Sequence, residues 1–197
     1  MHSPRLSLSE SNVLQDAQFF ATKAAIDAKI NDLFSELKNK ILACQPENAR
    51  LPQEIWSTPG RIHRGEHLGN FPWRAIDCPR TYNGKDIAVF RTLLIWGHEF
   101  SFHLIISGKW MDEFARKLSF ESLAKDGWLL SLQESPWDWN LNERSHSPLS
   151  SFRPRQWDAV IEEHSWIKIS QTLSLGEFSE VPEIGARLWK NLASTYQ

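Results

Sequence analysis

A β-hairpin is predicted by one segment in the middle of the chain, residues 88–110, which read AVFRTLLIWGHEFSFHLIISGKW. The first arm, residues 89–96, is a nearly continuous run of aliphatic, aromatic and β-branched residues, which is typical of a strand covered on both faces. The second arm, residues 100–106, alternates between apolar and polar side chains. Gly97 supplies the conformational freedom that a tight reversal requires. We therefore expect an antiparallel sheet at the centre of the fold.

Further strands are predicted on both sides of this hairpin. The expected strands are residues 61–67, 73–78, 89–96, 100–106, 128–133 and 166–173. Turn signals at 69–70 and 83–84 separate the first three of them, which indicates a meander. Short helices are expected at 110–117, 121–125 and 155–164. Strands in series, with helices before and after them, predict an α+β fold with an antiparallel sheet of about five or six strands.

A long helix is predicted at each end of the chain. A capping box at Ser7 and Glu10 begins a helical pattern that continues without proline or glycine to Cys44. A straight helix of that length would run about 50 Å, which is too long for a compact domain of this size, so we expect a break near residues 22–25. The second long helix is residues 179–196. We expect the N-terminal helix to pack against the sheet or against a second copy of the chain, as in a homodimer.

The bulk composition predicts one globular unit. The chain has 197 residues, 41% hydrophobic and 23% charged, which favours a single α+β domain with an N-terminal helical segment (residues 1–45) and a sheet-containing body (residues 61–197). The net charge of −2, with basic residues spread along the chain, predicts no nucleic-acid partner and no membrane partner. Two cysteines and a polar beginning favour a cytoplasmic protein.

A series of short motifs occurs between Gly65 and Leu104. These are Gly65-Glu66, Gly69-x-x-Pro72-Trp73, Asp77-x-Pro79-Arg80, Phe90-Arg91-Thr92, Trp96-Gly97 and Phe100-Ser101. They resemble the pattern of a family of uncharacterised bacterial proteins, although this chain has one extra residue between Gly69 and Pro72. The resemblance covers roughly a fifth of the chain. Because that family has no known activity, the resemblance implies a bacterial protein of unknown function and no catalytic residues.

Arg91 is the most informative charge in the sequence, because it lies in the middle of the most apolar run. A buried arginine needs a partner, since removing an unpaired guanidinium from water is costly. We expect the partner to be a carboxylate on a neighbouring strand, either Asp77 or Glu66. Arg91 would then be part of a structural ion pair, or an anion-binding residue in a pocket with Arg74 or Arg80 nearby.

Three histidines are candidates for catalysis or metal binding. His103 lies on the less apolar face of its strand and is interpreted as a hydrogen-bonded structural residue, while a hydrolase built on His103, Asp77 and Glu66 is an alternative. The sequence His63-x-x-Glu66-His67 matches an inverted zinc-protease motif. Its flanking glycines predict a strand, on which the two histidines would lie about 13 Å apart, too far to bind one zinc ion. We therefore expect no metal and no cofactor.

The chain is rich in tryptophan, with ten such residues. Five of them fall inside predicted elements and are expected mostly in the core. Trp137 and Trp139 instead lie in an irregular segment, residues 134–154, whose length is typical of functional or mobile loops. Large aromatic side chains are energetically unfavourable in water when they make no contacts. We therefore expect Trp137 and Trp139 to fold back on the sheet as a lid, or to stack on a ligand or partner.

Two functional classes follow from these features. The first is a soluble small-molecule or peptide binding module with an aromatic- and arginine-lined pocket on the sheet. The candidate pocket residues are Arg91, Asp77, Glu66, Arg74, His103, Trp137 and Trp139. The second is a structural or oligomerising protein that has no ligand. No G-x-S-x-G, P-loop or G-x-G-x-x-G motif occurs, so the sequence assigns no catalytic residue.

Overall fold

The fold is described from a computed structural model for residues 5–44, 51–139 and 144–196. The helices are α1 Leu8–Gln15, α2 Ala17–Ala43, α3 Gln53–Ser57, α4 Trp110–Glu113, α5 Phe120–Lys125, α6 Pro154–Glu163 and α7 Val181–Thr195. The strands are β1 Arg61–Leu68, β2 Phe71–Asn83, β3 Asp86–Ile95, β4 Glu99–Ser107, β5 Leu129–Ser131, β6 His146–Pro148 and β7 Trp166–Ser174. Short 3-10 helices occupy Ala115–Lys117, Leu149–Ser151 and Leu175–Glu180.

The seven described strands form one antiparallel sheet in the order β1-β2-β3-β4-β7-β5-β6. The α+β class and the central hairpin are confirmed, and β1 to β4 form the expected meander. β7 is the last strand in the sequence but lies between β4 and β5. The sheet has more strands than expected because β6 lies inside the segment 134–154, which we had expected to be irregular. With only three residues and a proline, β6 leaves almost no periodic signal in the sequence.

The capping box at Ser7 is confirmed, but the predicted break in the N-terminal helix is in the wrong place. The backbone leaves the helical conformation at Asp16, whose side chain accepts a hydrogen bond from the Phe19 backbone N–H at 2.8 Å and so caps α2. An aspartate that can cap a new helix competes with continuation of the old one. Residues 22–25 remain helical. No described helix is both long and apolar enough to cross a membrane.

One face of the sheet packs against α2 and α7 and forms the main core. Trp189 of α7 lies 5.6 Å from Phe90 of β3, measured between ring centroids. Gly185 of α7 permits this approach, since a Cβ there would lie 2.7 Å from Leu37 of α2 and 2.9 Å from Phe102 of β4. The C-terminal half of α2 therefore packs on the body, which confirms one of the two expectations for this helix.

Candidate functional site

A row of polar residues crosses the sheet on the face opposite α2 and α7. Asp77 of β2 is paired with Arg91 of β3, Arg91 with His103 of β4, and His103 with Ser170 of β7. Directly paired residues point to the same face, so these four side chains lie side by side. Asp77, His103 and Ser170 have no exposed surface. We call these four residues the polar row.

Arg91 and Asp77 form a bidentate ion pair, as the apolar surroundings of Arg91 predicted. Arg91 Nε donates to Asp77 Oδ1 at 2.6 Å, and Arg91 Nη2 donates to Oδ2 at 2.7 Å. The Tyr82 hydroxyl donates to the same Oδ2 at 3.0 Å, and His63 Nε2 lies 3.1 Å from it without the alignment of a hydrogen bond. Burial opposes the charge of Arg91, but the hydrogen bonds and charge of Asp77 hold the pKa of Arg91 above its ordinary value.

Two residues that were expected in the pocket lie elsewhere. Glu66 is exposed on the edge strand β1, and no ion pair joins it to Arg91 within the described residues. Arg74 is buried on the other side of the sheet, where its Nη2 lies 2.7 Å from Asp27 Oδ2 of α2. Side chains alternate along a strand, so Arg74, three residues before Asp77, points to the opposite face. The polar row therefore has one arginine.

Trp137 and Trp139 fold back over the polar row in the manner of a lid. The guanidinium carbon of Arg91 lies 4.8 Å from the ring centroid of Trp139 and 5.4 Å from that of Trp137. His103 meets Trp139 edge to face at 5.0 Å, and Trp137 stacks on Tyr82 at 6.3 Å. Such contacts stabilise a cation that has lost water. We call residues 132–139 the tryptophan lid.

His103 is buried and bonded only to hydroxyl groups. Its Nδ1 lies 2.8 Å from Ser170 Oγ, and its Nε2 lies 2.8 Å from Ser101 Oγ. Burial, with the positive charges of Lys168 and Arg91, pushes the pKa of His103 well below its ordinary value. This is the expected structural histidine, neutral at pH 7. The geometry does not support a hydrolase, because no carboxylate orients the imidazole.

Lys168 is the candidate that the sequence reasoning missed. It lies on β7 with no exposed surface, and its Nζ lies 5.0 Å from the Trp139 ring centroid. The ammonium donates to Gln133 Oε1 at 2.8 Å and to the Asp138 carbonyl oxygen. Burial lowers the pKa of Lys168 to about 8, against the opposing charge of Asp138. The available signal was a lysine between two isoleucines in a predicted strand, the same kind of signal that singled out Arg91.

His146 of β6 adds a second buried base to this face. It is paired with Ser131 of β5, which by strand alternation points to the same side of the sheet as the polar row. Its Nδ1 lies 3.0 Å from Ser145 Oγ, whereas its Nε2 is buried and makes no hydrogen bond. Burial and the positive charge of Lys168 lower the pKa of His146 to about 4. No sequence signal singled out this histidine, because β6 was not predicted.

Comparison of the chain with protein-family models, with curated proteins and with solved structures finds no match. The resemblance to an uncharacterised bacterial family stays a prediction. Within the described residues no group of three or more histidine, cysteine, aspartate or glutamate side chains is arranged to hold a metal ion. His63 and His67, from the zinc-protease motif, lie on a strand as expected. The polar row, Lys168 and the tryptophan lid therefore define the candidate site.

Proposed function

We propose that this chain is a binding module for a small molecule. The binding site lies on the polar face of the sheet, between Arg91, His103 and Lys168, and the tryptophan lid covers it. Catalysis is not part of the proposal, because the one histidine of the polar row contacts no carboxylate.

The arrangement of basic groups around the Trp139 ring carries this proposal. Arg91 and Lys168 lie 4.8 and 5.0 Å from the ring centroid, and the His103 ring lies 5.0 Å from it. These side chains come from three adjacent strands of one rigid sheet. Stability alone does not require them, since buried charged groups stabilise a fold no better than apolar residues of similar volume. Convergent polar groups in a mostly apolar setting are the usual mark of a ligand site.

The tryptophan lid supports the proposal because it is irregular backbone on a regular scaffold. It contains no helix or strand after Ser131, and it returns to the sheet through side-chain contacts of Gln133, Trp137 and Trp139. Segments of this kind commonly open and close over binding sites. Displacing Trp139 would expose three basic side chains without breaking any strand pairing.

The proposal is tested by screening a library of small fragments, with ligand-observed NMR to detect binding and protein-observed NMR to locate it. We expect fragments that bind the wild type to shift the indole N–H signals of Trp137 and Trp139. The variant Trp137→Ala should bind the same fragments at least about tenfold more weakly, because it loses an aromatic wall of the site beside Arg91. Phe71→Ala is the matched control, since it removes a similarly exposed aromatic ring that meets His98 edge to face at the turn end of the sheet.

Fragments that bind the wild type and Trp137→Ala equally well would contradict the proposal. So would the complete absence of bound fragments, because a site with polar and aromatic walls takes up some members of such a library when its lid opens. Binding that changes in Phe71→Ala but not in Trp137→Ala would place the ligand elsewhere on the sheet.

The N-terminal helices favour the second candidate, an oligomerising protein. Helix α1 has no buried residue, and several large apolar side chains just before α1, in α1 and in early α2 are exposed. These are Leu6, Leu8, Val13, Leu14, Phe19, Phe20 and Ile26. Ile26 lies on the stripe that continues into the buried residues Ile30 and Leu33 of the same helix. A second copy of the chain could extend this core by packing on the exposed part of the stripe.

The oligomer is tested by sedimentation velocity. The wild type is expected to sediment as a dimer at micromolar concentration, and Phe19→Ser/Phe20→Ser as a monomer, since both rings are about half exposed in the single chain. Lys29→Ser, an exposed change on the same helix, should leave the dimer intact. A wild type that remains monomeric up to about 100 µM would exclude this candidate.

A further inference from the structure

We infer that the ligand of this site is an aromatic carboxylate, whose ring takes the place of the Trp139 indole and whose carboxylate binds Lys168. This inference rests on the binding function proposed above and names the class of ligand. It follows from three observations on the polar face: a buried cation with no carboxylate in salt-bridge contact, a buried imidazole nitrogen without a partner, and an aromatic ring among basic groups.

The first observation is the difference between the two buried cations. Arg91 has the carboxylate of Asp77 at 2.6 and 2.7 Å. Lys168 contacts only two neutral oxygens, and no carboxylate of the described residues lies within salt-bridge distance of its Nζ. A lysine ammonium has three donors, so one remains for a further acceptor. The charge of Asp138 acts on Lys168 only from beyond salt-bridge distance. A buried ammonium that contacts only neutral acceptors is costly, and a ligand anion at its free donor would lower that cost.

The second observation is the free nitrogen of His146. The residue is 5% exposed, and its Nε2 makes no hydrogen bond. When Nδ1 accepts the Ser145 hydroxyl proton, Nε2 carries the hydrogen and is a donor. The register of β5 and β7 continues to place Ser131 opposite Lys168, and Ser131 is paired with His146, so the two basic side chains lie in one row on this face. The charge of Lys168 accordingly acts on the imidazole. A carboxylate has two acceptor oxygens, one for the ammonium of Lys168 and one for this N–H.

The third observation is the position of the Trp139 ring. Arg91 and Lys168 lie 4.8 and 5.0 Å from its centroid, the separation at which a cation is attracted to an aromatic face, and the neutral His103 ring meets it edge to face at 5.0 Å. A ligand that displaces this ring keeps those attractions only if it also presents an aromatic face. Phosphate has no such face, and the guanidinium that would bind it in a bidentate manner is already paired with Asp77. An aromatic carboxylate satisfies all three observations.

The inference is tested by isothermal titration of Trp139→Gly, in which the ring position is empty. The probes are indole-3-acetate, indole, tryptamine and inorganic phosphate, so that three of them share one ring and differ in charge. Indole-3-acetate should bind at least about tenfold more tightly than indole, which is the effect of one charge-assisted hydrogen bond, and tryptamine more weakly than indole. In Trp139→Gly/Lys168→Met, indole-3-acetate and indole should bind equally.

The outcomes separate this inference from the proposed function. Equal affinity for indole-3-acetate and indole in Trp139→Gly would refute a carboxylate ligand but not the proposed binding site. Phosphate that binds more tightly than indole-3-acetate would have the same consequence. If no probe binds, the proposed function fails as well. Should Trp139→Gly not fold, the wild type and Lys168→Met are compared instead. Indole-3-acetate should then bind the wild type but not Lys168→Met, and any other result overturns the inference.

Discussion

Replacing Arg91 with alanine is expected to lower the free energy of unfolding by about 3–5 kcal/mol. Asp77 has no exposed surface and would keep its negative charge with the Tyr82 hydroxyl as its remaining hydrogen-bond donor. A loss of this size is a large part of the roughly 5–15 kcal/mol that stabilises a typical domain. The measurement is urea unfolding at pH 7, followed by circular dichroism.

Three variants control this experiment. Arg64→Ala removes an exposed arginine of the neighbouring strand and should change the free energy by less than about 0.5 kcal/mol. Arg91→Lys keeps a positive charge near Asp77 but not the two parallel hydrogen bonds. Its free energy of unfolding should therefore fall less than that of Arg91→Ala. Arg91→Met/Asp77→Asn removes both charges and should be more stable than Arg91→Ala. A free energy of unfolding for Arg91→Ala within about 1 kcal/mol of the wild type would show that the Arg91–Asp77 ion pair contributes little to stability.

The existence of the Arg91 ion pair could be predicted from the sequence, because the apolar residues around Arg91 demanded a partner. The choice between Asp77 and Glu66 could not, since it depends on strand register. Counting back from the turn Asn83↔Asp86 would place Cys78 opposite Arg91. The register shift between Asp77 and Arg80 moves the pairing by one residue and brings Asp77 to that position. A shift of one residue exchanges the two faces of a strand. Pro79 lies inside the shifted stretch, and a proline in a strand indicates an irregularity but does not tell which residue then faces Arg91.

Lys168 and His146 show two different limits of sequence reasoning. Lys168 could have been found, because a lysine inside an apolar strand raises the same question of desolvation as Arg91. His146 could not, since the strand that positions it has three residues and lies in a segment rich in turn-forming residues. The fold class, by contrast, followed from long periodic segments, which are the strongest local signals in a sequence. The candidate site is therefore less predictable than the sheet that supports it.

Lys168 is expected to make the protein more stable as the pH rises from 8 to 10. Burial lowers its pKa to about 8 in the folded chain, with Arg91 adding to this effect and Asp138 opposing it, whereas an unfolded lysine has a pKa of about 10.4. Between these values the unfolded chain binds a proton that the folded chain has released, so the free energy of unfolding rises with pH. Over two pH units the gain is about 2–3 kcal/mol. Below pH 8 both states are protonated, and Lys168 contributes no slope.

The gain is measured as the difference between the wild type and Lys168→Met in urea unfolding at pH 7, 8, 9 and 10. Burial also raises the pKa of Cys78, to about 12, and that of Tyr82. Those two groups lower stability at alkaline pH in both proteins, so their effect cancels in the difference. Lys190→Met, which replaces an exposed lysine of α7, should follow the wild type at every pH. If the free energy of unfolding of the wild type and of Lys168→Met changes in parallel with pH, burial does not lower the pKa of Lys168 in the folded chain. If the Lys168 charge is unpaired in the free protein, a bound carboxylate should raise the pKa of Lys168 and move the rise in stability to higher pH.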